Sequence, residues 1–239
     1  LDSNRPARRL LESGRRGIPT YRPLDRFETS ILSRARIRPP NGVTIRNATP
    51  GEEPTLASFL NACNVAHSFA PLCSAERLRT QSQFGLTMDR FLIAERAGTI
   101  IACAALWDVR AFKQCVVRGY APWLRTLRPA INVIGRTLGR PLLPAVGHPL
   151  ALQYLSQAAC APGHEDAFAA LLSKACACCA GEGCSLVTGF AARHPLAPVA
   201  SRFPRRTLAS TLYAVCWPDG DEQASRLAGA PIHTEVALL

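Results

Sequence analysis

Short apolar runs separated by turn signals cover most of this chain, and the clearest of them follow one another in its second half. The run 150–161 is apolar and has Pro on both sides, which is typical of a buried strand. The Ala- and Leu-rich run 166–180 ends at a pair of glycines, as helices commonly do. The run 184–190 is apolar and again has the length of a strand. The pattern predicts a strand, helix and strand unit, in which the loop before the helix is the natural ligand site.

Upstream of this unit, the pattern predicts a strand, helices and a hairpin. Residues 43–48 alternate between apolar and polar as in a strand, and Thr49-Pro50-Gly51-Glu52 forms a capping box with Pro at the first helical position. Apolar residues at helical spacing extend that helix to about Ala66, and a shorter helix is expected between residues 74 and 84. Residues 90–107 form two apolar runs around a Gly-containing turn, which predicts a β-hairpin.

The predicted order of elements resembles that of GNAT (GCN5-related N-acetyltransferase) proteins between residues 43 and 217. The resemblance is most specific at Ile45-Arg46-Asn47-Ala48-Thr49-Pro50, at residues 93–105 and in the central unit. It implies an α/β (α+β) fold with a mixed, mostly antiparallel sheet and helices on both faces. Proteins of this family bind an acyl-CoA between two central strands and pass the acyl group to an amine. The resemblance therefore implies an acyl-CoA-dependent N-acyltransferase, with acetyl-CoA or another acyl-CoA as co-substrate and a small-molecule or peptide amine as acceptor.

Residues before position 43 are interpreted as the end of a preceding domain. Residues 4–14 have a helix pattern between an Asn cap and a Gly, and residues 18–32 form an extended run. Together they resemble the last helix and strand of a GNAT domain. The resemblance implies a domain remnant at 1–36, a linker at 37–42, a GNAT-like domain at 43–217 and a tail at 218–239. It also implies packing against a second GNAT-like domain in a larger protein.

Composition narrows the class of protein. The 239 residues are 48% hydrophobic, which is enough for one sizeable core. No run of eighteen apolar residues and no charged-then-apolar leader occurs, so we expect a soluble protein. The ten cysteines lie largely in predicted helices and strands, and we expect free thiols in a reducing cytoplasm rather than disulfides. The cluster at 176, 178, 179 and 184 has no His nearby, so we expect no metal site.

The net charge of +11 comes almost entirely from Arg. Residues 1–40 contain ten Arg and four acidic residues, and Lys occurs only at positions 113 and 174. A nucleic-acid-binding surface normally combines such charge with interleaved aromatic residues or a recognisable motif, and this sequence has neither. We therefore expect no nucleic-acid partner.

A basic insertion at residues 109–149 separates the hairpin from the central unit. No Asp or Glu occurs between residues 109 and 164, whereas seven Lys or Arg residues do, and a field of one sign favours an anionic partner. Apolar residues repeat there at helical spacing, around a Pro that must bend or divide the helix: Leu124, Leu127, Ile131, Ile134 and Leu138. Three interpretations stay open: a helix packed on the sheet, a lid over the substrate opening, or a membrane-surface helix with Trp123 at its edge. We expect packing, because such stripes usually face a core, and we expect no membrane partner.

The loop before the central helix carries a degenerate form of the family's phosphate-binding pattern, Arg/Gln-x-x-Gly-x-Gly/Ala. A diphosphate needs free backbone N–H groups at a helix N-terminus, small side chains and no negative charge. Aligning Leu171-Leu172 with the apolar pair after the motif places Gly163 at the first position of the pattern. Asp166 and Phe168 then stand where the small residues belong.

Two more residues of this loop oppose coenzyme binding. Pro162 removes one N–H donor, and Glu165 adds a carboxylate beside Asp166. An alignment with Gln157, Cys160 and Pro162 in the three roles fits no better. Either acyl-CoA binds in an altered manner, with help from Arg residues of the insertion, or this is an inactive binding or scaffolding domain and the active domain lies upstream. In the first case the resemblance places the coenzyme against these residues: Ala158, Ala159, Cys160, Gly163, His164 and Ala167.

Side chains suited to acid–base chemistry are few. Transfer to an amine needs a base, often acting through water, and a proton donor to the leaving thiolate, commonly a Tyr near the start of the last helix in GNAT enzymes. His194 follows the second central strand and is the best acid/base candidate, although a surface His before Pro is more often a cap. No Tyr occupies the family's donor position, and Tyr154 on the central strand and Tyr213 on the final strand are candidates to replace it.

Overall fold

The computed structural model describes residues 4–14, 17–137, 142–217, 220–227 and 229–239. Parts of three predicted regions lie outside these residues: the opening segment (1–3, 15 and 16), the insertion (138–141, with Leu138 of the apolar stripe) and the tail (218, 219 and 228). The strands are β1 (Thr20–Leu32), β2 (Val43–Asn47), β3 (Phe91–Arg96), β4 (Thr99–Trp107), β5 (Leu152–Cys160), β6 (Ser185–Ala191) and β7 (Arg205–Cys216). The α-helices are α1 (Arg5–Leu11), α2 (Glu53–Asn64), α3 (Ala75–Gln81), α4 (Pro122–Thr137), α5 (Glu165–Gly181), α6 (Ala197–Ser201) and α7 (Asp221–Arg226). Short 3-10 helices at Ser82–Phe84 and Met88–Arg90 lie between α3 and β3.

The seven described strands form one sheet in the order β2-β3-β4-β5-β6-β1-β7. Neighbouring strands are antiparallel except for β5 and β6, which are parallel. Alternate residues of the strands belong to two buried clusters: Leu92 of β3 packs with α5 and α6, and Ile93 packs with α2 and α3. Because successive strand residues point to opposite faces, the helices cover both faces of the sheet. The predicted mixed, mostly antiparallel sheet with helices on both faces is confirmed.

The predicted central unit is present as β5, α5 and β6. β5 is buried from its first residue to Ala159, because it lies between two other strands and under helices on both faces. α5 buries both of its Leu residues and most of its Ala residues, and it ends at Gly181. Gly183 in the following turn has φ 72, a left-handed conformation that glycine adopts without a Cβ penalty. The helix thus supplies the crossover that a parallel strand pair requires.

β1 lies inside this sheet, between β6 and β7, and pairs with both of them antiparallel. Phe27 of β1 is 2% exposed, and the Ser30 hydroxyl lies 2.8 Å from that of Thr207 on β7. The sheet therefore includes residues that precede the predicted domain start at Val43. The interpretation of residues 1–36 as the end of a preceding domain stays a prediction.

Helix α4 forms from the insertion, but it does not pack as expected. Trp123 and Ile134 on its apolar face are 63% and 57% exposed, and Gly135 is its one buried residue. Asn132, on the opposite side of the helix, exchanges two hydrogen bonds of 2.8 and 2.9 Å with the backbone of Leu143. The prediction that this apolar stripe packs on the sheet is therefore wrong for the described residues, because the polar face is the one fixed to the protein.

The ten cysteines are free thiols in this structure. Burial raises the pKa of Cys176 and of Cys160 to about 12, so both thiols stay protonated near neutral pH. Over the described ranges, no group of three or more His, Cys, Asp and Glu residues is arranged to hold a metal ion. None of the helices described above is long and apolar enough to cross a membrane.

We predict that β1 is required for the stability of the fold. Replacing Phe27 with Ala should lower the free energy of unfolding by about 3 to 5 kcal/mol, because a fully buried ring is lost and a cavity is left. Phe84→Ala is the matched control, since Phe84 is 55% exposed, and it should change stability by less than about 0.5 kcal/mol. Urea unfolding of the two variants measures the difference. Equal losses would show that β1 does not belong to the cooperative core.

Candidate functional site

The two parallel strands at the centre of the sheet separate after a short paired stretch. Pairing between β5 and β6 covers Leu152 to Tyr154 against Ser185 to Val187, although β5 continues to Cys160 and β6 to Ala191. Gln157 in β5 has φ 49, an unusual value for a residue other than Gly, and the pairing with β4 shifts register there. The resulting bulge turns the backbone N–H of Gln157 away from β4 and into the gap between β5 and β6.

The gap is occupied by the end of the sequence, residues 231–239, which we call the tail segment. The backbone N–H of Gln157 donates to Oε1 of Glu235 at 2.9 Å, and the Ser156 hydroxyl donates to Oε2 at 2.6 Å. On the β6 side, a Cβ added at Gly189 would lie 2.5 Å from a methyl group of Val236. The absence of a side chain at Gly189 therefore makes room for the tail segment, which touches both strands.

Two buried histidines connect the end of β6 with the tail segment. The backbone N–H of Leu196 donates to Nδ1 of His194 at 3.1 Å, so neutral His194 carries its proton on Nε2. This Nε2 lies 2.9 Å from Nδ1 of His233 and donates to it. His233 therefore carries its proton on Nε2, which faces Oε1 of Glu235 at 3.7 Å. The chain of polar groups runs from a backbone amide through two rings to the carboxylate in the gap.

His194 is uncharged in this arrangement. Burial holds its pKa at about 3, and any positive charge on His233 or His67 lowers it further. His67, from the loop after α2, stacks on the His194 ring with centroids 4.9 Å apart, and burial lowers the pKa of His67 as well. The rings of His194 and His67 therefore stack as neutral groups at neutral pH.

The structure places the three predicted catalytic residues in different surroundings. His194 is 4% exposed, so the expectation of a surface position is wrong, and both of its ring nitrogens are hydrogen-bonded. Tyr154 is buried on β5 with its hydroxyl 3.8 Å from the Cys115 thiol, and burial raises its pKa to about 12. Tyr213 lies on β7 at the edge of the sheet and donates to Glu12 at 2.6 Å, so β1 separates it from the strands of the gap. Their roles in catalysis stay predictions.

The predicted phosphate loop is partly occupied by its own side chains. Oε1 of Glu165 accepts a hydrogen bond of 3.1 Å from the backbone N–H of Gly163. Asp166 is exposed and pairs at 2.7 Å with Arg202, the residue that follows α6, whereas Phe168 is fully buried in the core. The loop thus keeps the acidic character that the sequence indicates, and its Gly163 amide already has an acceptor.

The residues predicted to contact the coenzyme fall into two groups. Ala158 and Ala159 are buried in β5, next to the partly exposed Cys160, and Ala167 is buried in the first turn of α5. Gly163 is exposed in the loop, with His164 after it at the N-cap of α5. The β5 residues of the first group follow the bulge at the gap, whereas Ala167 and the second group lie at the N-terminus of α5. Coenzyme binding by either group stays a prediction.

Sequence reasoning missed the residues that meet in the gap. Sequence analysis treats Ser156 only as part of an apolar strand, weighs Gln157 only for the first position of the phosphate pattern, and assigns residues 218–239 to a tail. In the structure the tail segment is buried at Ile232, Val236 and Ala237. The sequence signal for this burial is weak: apolar residues, Ile232 and the pair Val236-Ala237, flank the polar run 233–235.

Solved structures show which fold this is. A GCN5-related N-acetyltransferase from Sphaerobacter thermophilus superposes with a TM-score of 0.57 at 14% identity, over 89% of this chain and 56% of that protein. A GNAT family acetyltransferase from Brucella melitensis, in complex with acetyl-CoA, gives a TM-score of 0.43 at 12% identity, over 73% of this chain and 95% of that one. A GCN5-related N-acetyltransferase from Kribbella flavida gives 0.44 at 12% identity, over 86% and 63%. No family model and no curated protein matches the sequence.

The chain has the GNAT fold. The Sphaerobacter superposition carries this conclusion, and it confirms the resemblance inferred from residues 43–217 at the level of the fold. The chain spans little more than half the length of that protein. The activity of the longer protein is therefore not carried over to this chain by the superposition.

We predict that burial of neutral His194 makes stability depend on pH. The unfolded chain protonates this group near pH 6.5 and the folded chain near pH 3, so folding stability is lost as the pH falls from 6.5 towards 3. The loss approaches about 1.4 kcal/mol per pH unit as the pH falls below 6. His194→Asn should flatten the fall in unfolding free energy between pH 7 and pH 5, as measured by urea titration.

His148→Asn is the control for this experiment, because His148 is exposed and lies in the insertion. It should leave the pH dependence of the wild-type protein intact. Parallel curves for His194→Asn and the wild type would contradict the account of a buried neutral ring.

Proposed function

We propose that this domain is an acyl-CoA-dependent N-acyltransferase that acts on an amine. The observation that carries the proposal is the bulge at Gln157, which presents a backbone N–H to the gap between two central strands of a GNAT fold. That N–H already holds a negatively charged oxygen of Glu235 at 2.9 Å. A site that stabilises a carboxylate oxygen is suited to the oxygen of a thioester carbonyl as negative charge develops on it.

The proposed reaction needs three changes at the acyl group. The neutral amine nitrogen attacks the carbonyl carbon, the carbonyl oxygen becomes negatively charged, and the C–S bond then breaks so that the thiolate of the coenzyme leaves. The nitrogen passes its surplus proton, through solvent water, to the departing thiolate, which leaves a neutral amide and a free thiol. The Gln157 N–H and the Ser156 hydroxyl are the two donors available to the oxygen, since both point at one carboxylate in this structure. Because His194 uses both ring nitrogens, we assign it the positioning of His233 rather than direct proton transfer.

A second candidate is a domain of the same fold that has lost catalysis and serves as a binding or scaffolding module. The contact that favours it is Glu165 on the Gly163 amide, because a diphosphate at the start of α5 would meet that carboxylate and lack that donor. Pro162 removes a further donor from the same loop. The catalytic domain would then lie in another part of a longer protein.

The proposal also includes the cellular compartment and the partners of this domain. Ten free thiols favour a reducing compartment such as the cytoplasm. The exposed apolar face of α4 favours packing against a second domain, and the lid over the substrate opening and the membrane-surface helix stay as the alternatives to it. We propose no nucleic-acid partner.

We predict that removing the charge of Glu165 strengthens coenzyme binding. Glu165→Gln should tighten acetyl-CoA binding roughly fivefold, since it removes a like charge beside the diphosphate and weakens the contact that occupies the Gly163 amide. Isothermal titration of the full chain with acetyl-CoA measures the affinity, and release of free thiol with a panel of amines measures transfer.

Glu76→Gln is the matched control, because Glu76 also lies in the first turn of a helix and is exposed on α3. It should leave the affinity for acetyl-CoA unchanged. Absence of any binding at millimolar acetyl-CoA in all three proteins would exclude the transferase and leave the non-catalytic module.

A further inference from the structure

The tail segment and a bound thioester compete for the same donor. A backbone N–H has one proton and holds one strong acceptor at a time, and the N–H of Gln157 holds Glu235. The Ser156 hydroxyl is committed to the other oxygen of the same carboxylate. While Glu235 stays there, neither donor can reach a carbonyl oxygen.

The space beside this donor is also taken. Val236 packs against Gly189 of β6 and near the Phe27 ring of β1, so closely that no Cβ fits at position 189. Val236 and Ala237 are buried in the same cluster as Tyr154 of β5 and Val187 of β6. An acyl chain that entered the gap between the strands would meet these side chains.

We propose that the tail segment is an internal competitor of acyl-CoA, and that the coenzyme engages Gln157 only after residues 231–237 leave the gap. This inference rests on the proposed transferase function and assigns the regulation of that site. The segment belongs to the chain itself, so the competition does not depend on the concentration of a second molecule.

Backbone hydrogen bonds fix the start of the segment, and the carboxylate of Glu235 fixes its middle. Ser68 exchanges backbone hydrogen bonds of 2.9 and 3.0 Å with Pro231 and His233. Beyond Glu235, the Lys113 ammonium lies 3.5 Å from the Val236 carbonyl. Among the described residues, the Thr234 hydroxyl is buried without a hydrogen-bond partner, so the seated segment leaves one polar group unsatisfied.

Glu235 could instead be a base that stays in place during the reaction. Both of its oxygens accept hydrogen bonds from β5, so each is already engaged. A base acting there would need the carboxylate to remain beside the bound thioester. The two roles predict opposite effects of removing the carboxylate, because loss of a competitor strengthens coenzyme binding whereas loss of a base abolishes turnover.

The test uses the full chain, acetyl-CoA as probe and three proteins: wild type, Glu235→Ala and Glu222→Ala. Glu222 is an exposed residue of α7 that pairs with Arg226 four residues on, so it controls for the loss of one carboxylate. We expect Glu235→Ala to bind acetyl-CoA about tenfold more tightly than wild type, since two charge-assisted hydrogen bonds no longer hold the segment. Glu222→Ala should bind as wild type does.

Hydrogen exchange of the wild-type protein gives a readout that needs no variant to fold. Saturating acetyl-CoA should increase amide exchange in residues 232–237 and decrease it in residues 157–160. If Glu235→Ala unfolds at a much lower temperature than wild type, Glu235→Gln replaces it, because Gln keeps the shape of the side chain. Glu235→Gln should also bind acetyl-CoA more tightly than wild type.

The outcomes separate the two proposals. Binding by wild type with residues 232–237 still protected, and with equal affinity in Glu235→Ala, would overturn the competition while leaving the transferase in place. Unchanged binding with loss of thiol release in Glu235→Ala would also overturn it, in favour of a base. No binding by any of the three proteins would remove the transferase proposal itself.

Discussion

The arrangement of this protein depends on two parallel strands that stop pairing before they end. A strand whose neighbour diverges leaves backbone N–H and C=O groups without partners, and buried groups of this kind are costly unless something satisfies them. β5 pairs with β6 over three residues and then turns one amide into the gap at the Gln157 bulge. The carboxylate of Glu235 accepts a hydrogen bond from this amide. The contact between Gln157 and Glu235 thus links the fold to the proposed transfer chemistry and to its competitor.

The buried histidines extend this link to the far side of the gap. A ring that is kept neutral can donate with one nitrogen and accept with the other, so His194 transmits a fixed orientation from the Leu196 amide to His233. Charging the ring would replace an acceptor with a donor and break the chain of hydrogen bonds. Burial opposes that charge, because it lowers the pKa of His194 to about 3.

Local patterns predicted the parts of the structure that are made from neighbouring residues. The hairpin at 90–107 and the unit β5, α5 and β6 follow from periodicity, caps and glycine stops within short windows. The insertion of β1 between β6 and β7 joins residues more than 150 positions apart, and no local signal specifies it. The same holds for the tail segment against β5. For α4, the apolar stripe predicted the helix correctly. It did not predict which face of the helix contacts the rest of the protein, because an amphipathic pattern does not specify what its apolar face packs against.

The most direct test of the central claim follows the Gln157 amide itself by heteronuclear NMR during titration with acetyl-CoA. If this N–H is the shared donor, its resonance should move in a saturable way, and the Glu235→Ala substitution alone should already move it in the absence of ligand. Saturable shifts elsewhere in the protein with an unchanged Gln157 resonance would contradict the account, because the thioester would then bind without the donor on which the proposed chemistry depends.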